Sequence, residues 1–271
     1  MSLSDAQWAR IAPLLPDRTP KRGGRWRDHR RVIEAIAWKY RTGSPWRDMP
    51  GEYGSWKGIY TRLRNWAIDG TWEKVFSALD WVVSVDSTVV RAHQHAAGAR
   101  PKGALDDEPQ HHALGRSRGG LTTKIHLAAD GGCRPLAFHP TPGQAGDAPA
   151  FEEVMALVRV PRQLGRPRIR PETVIADKAY SSRAIRTHLR RRGIRAVIPQ
   201  PADQIAKRKR RGQAGGRPPS FDRDTYRRRN TVERCINRLK QWRGLATRYD
   251  KTATIYLGGL HLAAIHIWAA R

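Results

Sequence analysis

Three acidic residues occupy settings in which a carboxylate must do more than face water. Asp86 lies in the middle of VVSVDSTVV, a nearly continuous β-branched run. A carboxylate buried in such a strand loses its hydration, so it has to be paired or metal-bound. Asp177 ends a second apolar run, TVIADKAY, at the carboxyl edge where open α/β sheets place ligands. Glu233 belongs to FDRDTYRRRNTVERCINRLKQ, residues 221–241, which contains neither Gly nor Pro. Carboxylate oxygens are the donors that hard divalent cations require. Two such ions roughly 3.5–4 Å apart can hold the attacking and leaving oxygens of a phosphoryl transfer. Three acids from separate elements, meeting at one point, would suit that chemistry.

The elements that would carry these acids can be read in outline. In and just after residues 221–241, Val232, Cys235, Ile236, Leu239 and Trp242 recur at i, i+3, i+4, i+7 and i+10. That spacing predicts one amphipathic helix over the whole stretch. On it, Tyr226, Arg229, Glu233 and Lys240 fall within a band of roughly 60° beside the apolar stripe. A single Glu among arginines, with Arg234 next to it, suits an acid held in a positive groove that binds a metal ion or a polyanion.

Composition agrees with an anionic partner. The 271 residues carry a net charge of +27, with 39% hydrophobic residues and ten Trp. A chain both basic and able to fold points to nucleic acid. The charge is localised. Arg159 to Arg229 holds 22 Lys/Arg against 5 Asp/Glu, so +17 of the +27, whereas the first 80 residues carry 15 basic and 9 acidic groups. The phosphate-neutralising surface is therefore expected in the second part. Cys133 and Cys235 are far apart and show no ligand spacing, and read as buried reduced thiols. MSLSDAQWAR has no apolar signal region, and the run from Ile255 to Ala270 is too short to span a bilayer. The expectation is a soluble cytoplasmic, nucleoid-associated protein without a membrane partner.

Along the chain, LSDAQWARIAPLLP, with Ser4 as N-cap, and DHRRVIEAIAWKYRTG, from Asp28 to Gly43, read as helices. SWKGIYTRLRNWAIDG and TWEKVFSAL read as two more. Seven of the ten Trp lie in the first 72 residues, so residues 1–79 are expected to form a small helical domain packed with indoles. Outward Lys57, Arg62, Arg64 and Asn65 on its third helix suit a helix-turn-helix DNA reader. From Trp81 the period changes to β. GLTTKIHLAADGGCRPLAFHP predicts a hairpin turning at Asp130-Gly131-Gly132. Then come a helix at GDAPAFEEVMALV, a strand at ETVIADKAY, a helix at SRAIRTHLRRRG and a short strand at RAVIPQP. Residues 203–220 read as a basic flexible loop. The order β, β, β, α, β, α, β then helices predicts an α/β fold with a ribonuclease-H-like mixed sheet over residues 80–271.

The spacing of Tyr226, Arg229, Glu233 and Lys240 resembles the signature of DDE-type insertion-sequence transposases, in the insertion-sequence-five group of the four/five superfamily. VDST and DKAY are similar to the family's first two motifs, GRSRGGLTTKIHLAAD to the stretch between them, and RTGSPWRDMP with the RLRNW run to its N-terminal region. The resemblance covers nearly the whole chain. It implies that Asp86, Asp177 and Glu233 form the catalytic, metal-binding triad with Mg²⁺ or Mn²⁺, two ions together. It implies that Arg229 and Lys240 contact DNA phosphates or terminal bases, that Tyr226 positions the backbone, and that Arg62 and Arg64 bind DNA from the N-terminal domain. Lys178, next to Asp177, reads equally as a phosphate contact or as a surface lysine. The implied partners are terminal inverted repeats and target DNA, with a homodimer or higher assembly at synapsis. The connection between Leu79 and Trp81 is shorter than the family leads one to expect.

Other residues weigh less. Asp147 in GQAGDAPAF reads as an acid at a helix start, and Asp130 as a turn residue. His93, His95, His111 and His112 lack the spacing of a zinc site, and Ser87 lacks the context of a nucleophile. No P-loop is present, so no nucleotide cofactor is expected. The rival readings are a structure-selective nuclease on the same fold and a non-catalytic nucleic-acid-binding protein.

Overall fold

The computed structural model describes residues 3–17, 27–72, 82–98, 108–109, 111–160 and 166–270. The end of the helix expected at TWEKVFSAL and the connection at 79–81 lie outside these residues, as does most of the KRGGRWR segment.

Helix α1 (Asp5–Ile11) passes into a 3-10 turn at Ala12–Leu14, which contains Pro13, and Leu14 is exposed. Proline cannot donate the next helical hydrogen bond, so the apolar stripe stops one turn early. Helix α2 (His29–Thr42) starts where the Asp28 side chain accepts from the amides of Arg30 and Arg31, and ends at Gly43 in the left-handed region. Helix α3 (Trp56–Ile68) presents Ile59, Leu63 and Trp66 inward.

The sheet comprises β1 (Val82–Ala92), β2 (Gly115–Ser117), β3 (Gly120–Asp130), β4 (Pro135–Pro142), β5 (Thr173–Ala176), β6 (Arg195–Val197) and β7 (Thr247–Arg248). Strand β3 is antiparallel to both β1 and β4. Strand β5 is parallel to β1, and β6 to β5. The order β4-β3-β1-β5-β6, three antiparallel strands followed by two parallel to the first, is the ribonuclease-H-like arrangement. The hairpin turns at Asp130, whose fully buried carboxylate accepts from the amides of Gly132 and Arg134.

Helices α4 (Asp147–Leu157) and α5 (Arg183–Arg191) cover one face of the sheet. Helix α6 (Ala202–Arg210) takes up the first part of the segment 203–220 expected to be a loop. Its acid, Asp203, is in the first turn and its four cations are in the last, which matches the helix dipole. Gln204 ties it back by hydrogen bonds to Ser181. The stretch expected as one helix is two, α7 (Arg223–Arg227) and α8 (Asn230–Lys240). Between them the amides of Arg229, Thr231 and Val232 bond three residues back rather than four, a tightened turn that interrupts the α-helix. Helix α9 (Ala253–Ala269) completes the chain's buried face.

Alternation along the strands splits the core. Val83, Val85 and Ala128 face α4 and α5, together with Phe151, Val154 and Leu189. Val90, Ile125, Leu127 and Phe138 face the other way, into a cluster shared by α8, α9, α2 and α3. Each such buried side chain contributes about 1.5–3 kcal/mol. The N-terminal helices therefore have no core of their own among the described residues. Tyr40 of α2, fully buried, donates toward Asp250 and the Ile255 carbonyl, and lies over Gly259 of α9. Glu108 fastens the start of α9: its buried carboxylate accepts from the amides of Ala253 and Thr254, from the Thr254 hydroxyl and from His112.

Candidate active site

The sheet is notched beside β1. On the side away from β3, β5 pairs with Val82–Val85 and β7 with Arg91–Ala92. Among the described residues, Asp86–Val90 have no strand on that side. The last β1–β5 pair is Val85 with Ala176, so Asp86 and Asp177 are the next residues of two adjacent parallel strands. Asp86 faces α8, where it meets Arg229, and the charge of Asp177 acts on it. The Asp177 side chain accepts from the Ala179 amide and caps the turn Lys178–Tyr180.

Glu233 approaches from α8, whose stripe Val232, Cys235, Ile236 and Leu239 is buried against β1 and β3. Burying that stripe aims the neighbouring band at the notch. Arg229 joins the acids: Nη1 is 3.1 Å from Asp86 Oδ2, and Nη2 pairs with Glu233 one turn along. Asp86 is 18% exposed and Glu233 47%, so one acid is sunk in the notch and the other is at its rim. Burial raises the Asp86 pKa above the usual carboxylate range. The Ser87 amide and Arg229 oppose the rise, and the charges of Asp177 and Glu233 add to it. Two acids and a cation thus share one small volume.

The donor set, oxygen-only and anionic, fits a hard divalent cation. As positioned, no three His, Cys, Asp or Glu side chains among the described residues surround a common point closely enough to hold an ion. The Arg229 guanidinium stands between Asp86 and Glu233 and neutralises them instead.

The other residues singled out in the sequence have varied placements. Tyr226 is half-buried on α7, with its ring 5.2 Å from that of Phe221. Lys240, at the end of α8, and Lys178 are exposed. Arg64 is half-buried, and Lys57 and Asn65 are exposed. Arg62, expected to point outward, is turned in: its guanidinium lies 5.4 Å from the Trp66 ring centre and 3.2 Å from His29 Nδ1. Its long apolar stem favours burial against an indole, and burial lowers its pKa. His93 packs on Tyr249, and His112 pairs with Glu108. Cys133 and Cys235 are both buried and free.

Sequence reasoning undervalued one group. Asp147 is the first residue of α4, yet its Oδ1 accepts from Ser87 Oγ at 2.6 Å and from Lys124 Nζ at 3.1 Å. Alternation could have put Ser87 opposite Asp86, but the pairing that sets Lys124 beside β1 depends on register, which no local signal fixes. Tyr180, in the turn after Asp177, is also buried near these acids, and burial raises its pKa strongly.

Comparison with known proteins supplies the family. The model described as "Transposase DDE domain" matches residues 77–268, and that described as "Putative transposase of IS4/5 family" matches residues 3–76. A protein of Brucella ovis named "Putative transposase for insertion sequence element IS6501" is 32% identical over 148 residues, spanning 55% of this chain and 98% of that protein. The uncharacterized protein y4sN of Sinorhizobium fredii is 36% identical over 104 residues, or 36% of this chain and 82% of its own length. Among solved structures, the Mos1 transposase paired-end complex with left transposon end aligns at a TM-score of 0.27 and 12% identity, over 82% of this chain and 66% of that one. With both family models together reaching from residue 3 to residue 268, the chain belongs to the DDE transposases of insertion sequences, in the IS4/5 family.

Proposed function

We propose that this transposase binds the terminal inverted repeats of its element and carries out metal-dependent strand cleavage and strand transfer, with Asp86, Asp177 and Glu233 as the metal-binding acids. The observation that supports this most is the adjacency of Asp86 and Asp177 on parallel strands, with Glu233 linked to Asp86 through one guanidinium. Bound Mg²⁺ or Mn²⁺ would activate water or a 3′-hydroxyl and stabilise charge on the phosphoryl oxygens.

The chain's own residues do the rest. Asp86, kept partly desolvated, is an acid whose charge is stabilised best by a cation, and the notch beside β1 leaves room for a strand end. Arg229, once released from the acids, is placed to take a DNA phosphate, as are exposed Lys178 and Lys240. Tyr226, half-buried beside Phe221, would support the nucleic-acid backbone. Helix α6, tied next to the Asp177 turn through Ser181 and Gln204, adds Lys207, Arg208, Lys209 and Arg210 to the same basic surface. On α3, Lys57, Arg64 and Asn65 remain for DNA contact, and Arg62 serves to pack the helix. Synapsis of two ends would require at least two copies of the chain.

Incubating the purified protein with DNA carrying candidate element ends, with and without Mg²⁺, tests the reading. Mg²⁺-dependent cleavage followed by joining to a second DNA is the expected result. Cleavage without joining would favour a nuclease, and salt-sensitive binding without any product would favour a non-catalytic binder.

A further inference from the structure

We propose that Asp147 is a positioning residue for Asp86, acting through Ser87, so that helix α4 sets the place of an acid on the opposite face of the sheet. The inference rests on the reading of Asp86 as a metal-binding acid.

Ser87 connects the two faces. Its backbone amide donates to Asp86 Oδ1 at 2.8 Å, and its hydroxyl donates to Asp147 Oδ1 at 2.6 Å. Whatever fixes the Ser87 side chain therefore fixes the amide that orients the Asp86 carboxylate. The connection matters because of where it falls. Among the described residues, 86–90 of β1 are paired with β3 only, so the strand has one ladder rather than two where the acid must hold still.

Asp147 is itself held firmly. Lys124 Nζ donates both to its Oδ1 and to the Ala145 carbonyl, at 3.1 and 2.6 Å. His126, 1% exposed, has Nδ1 3.8 Å from the same oxygen, and its Nε2 is hydrogen-bonded with Thr141. Behind Asp147, α4 is anchored by Phe151, Val154 and Met155, all fully buried. A residue acting only as a helix-start acid would spend its carboxylate on its own first turn. Here the N-cap is Gly146 without a side-chain cap, and the Asp147 oxygen is committed to β1 and β3. Such outer partners of metal-binding side chains, when removed, typically weaken metal affinity by about 10–100-fold.

The test uses the full chain and Mn²⁺ alone as the probe, counting free ion by electron paramagnetic resonance, with the melting temperature of the metal-free protein measured alongside. Ser87→Ala and Asp147→Ala are expected to raise the half-saturating Mn²⁺ concentration about ten-fold, with metal-free melting close to wild type for Ser87→Ala and lowered for Asp147→Ala, which leaves Lys124 without its carboxylate. Ser87→Thr, which restores the hydroxyl, is expected to recover most of the affinity. Asp86→Ala serves as the reference for losing the site. If Asp86→Ala binds weakly while Ser87→Ala and Asp147→Ala bind as wild type does, the positioning role is overturned and the metal-site reading stands. If Asp86→Ala binds Mn²⁺ as wild type does, both fall together. Should Asp147→Ala fail to fold, Ser87→Ala decides alone, since it removes one oxygen and leaves the Lys124–Asp147 pair in place.

Discussion

The Arg229 guanidinium lies 3.1 Å from Asp86 Oδ2 and is simultaneously paired with Glu233, one helical turn further along. A cation of the protein's own thus sits where the proposed catalytic ion must be held. Arg229 is 22% exposed, and the two carboxylates keep its pKa raised even though burial works against its charge. Arg229→Gln should tighten Mn²⁺ binding to the DNA-free protein about ten-fold, because a competing positive charge a few ångströms away is gone. The same variant should lose about 1–3 kcal/mol of stability in the metal-free form, since the part-buried Asp86 is left without its partner. Calorimetric Mn²⁺ titration and urea unfolding measure the two effects. Unchanged metal affinity would show that the guanidinium does not compete.

Replacing Asp86, Asp177 or Glu233 singly by Ala should reduce Mg²⁺-dependent cleavage of an end-bearing duplex by at least about 10³-fold, as for residues that act as one catalytic unit. Gel-shift affinity for the same duplex should change little, because phosphate contacts come from Lys and Arg. Retained cleavage in all three variants would defeat the assignment.

Glu108 gives the protein a pH dependence unrelated to catalysis. Burial pushes its pKa up, but hydrogen bonds from the Thr254 side chain and amide, from His112 and from the Ala253 amide more than offset this, and the net shift is downward. A carboxylate with a depressed folded pKa contributes stability that is complete above its unfolded pKa and is lost as pH falls through the folded value. Glu108→Gln should therefore lower stability by about 2 kcal/mol at pH 7. The gap to wild type should close in acid, below the ordinary carboxylate range. Denaturant unfolding across pH 3–8 checks this; a gap independent of pH would contradict it.

Gly259 is a packing constraint. A Cβ there would lie 2.3 Å from Cζ of the Tyr40 ring and 2.5 Å from Cε1, and that ring is rigid and fully buried. Gly259→Ala should cost about 1–3 kcal/mol or more by overpacking. Accelerated proteolysis of the segment around α2, compared with wild type, would locate the damage.

Much of this arrangement is legible in the sequence because its signals are local. The β-branched run around Asp86, the Asp130 turn and the apolar stripe from Val232 to Trp242 each depend on spacing within one element. The ladder that brings Asp177 beside Asp86 follows from strand order. The parts that escape sequence reading depend on long-range fit. Nothing near Lys124 says that it will meet Asp147 across two elements. The turn at Arg228–Arg229 interrupts a pattern whose periodicity is otherwise unbroken, and Arg62 looks like a solvent-facing cation until His29 and Trp66 are brought beneath it. The basic, Gly- and Pro-rich composition around the cations of α6 suggests a loop. Gathered in the final turn, with Asp203 at the other end, they instead suit the helix.

The cluster that unites α2 and α3 with α8 and α9 also constrains the order of events during synthesis. The aromatic helices made first meet their packing surface only after the ribosome has delivered residues 253–269. Until then the nascent chain carries bare indole and phenol rings. A chain truncated ahead of that segment would leave the N-terminal aromatic helices without the surface they pack on.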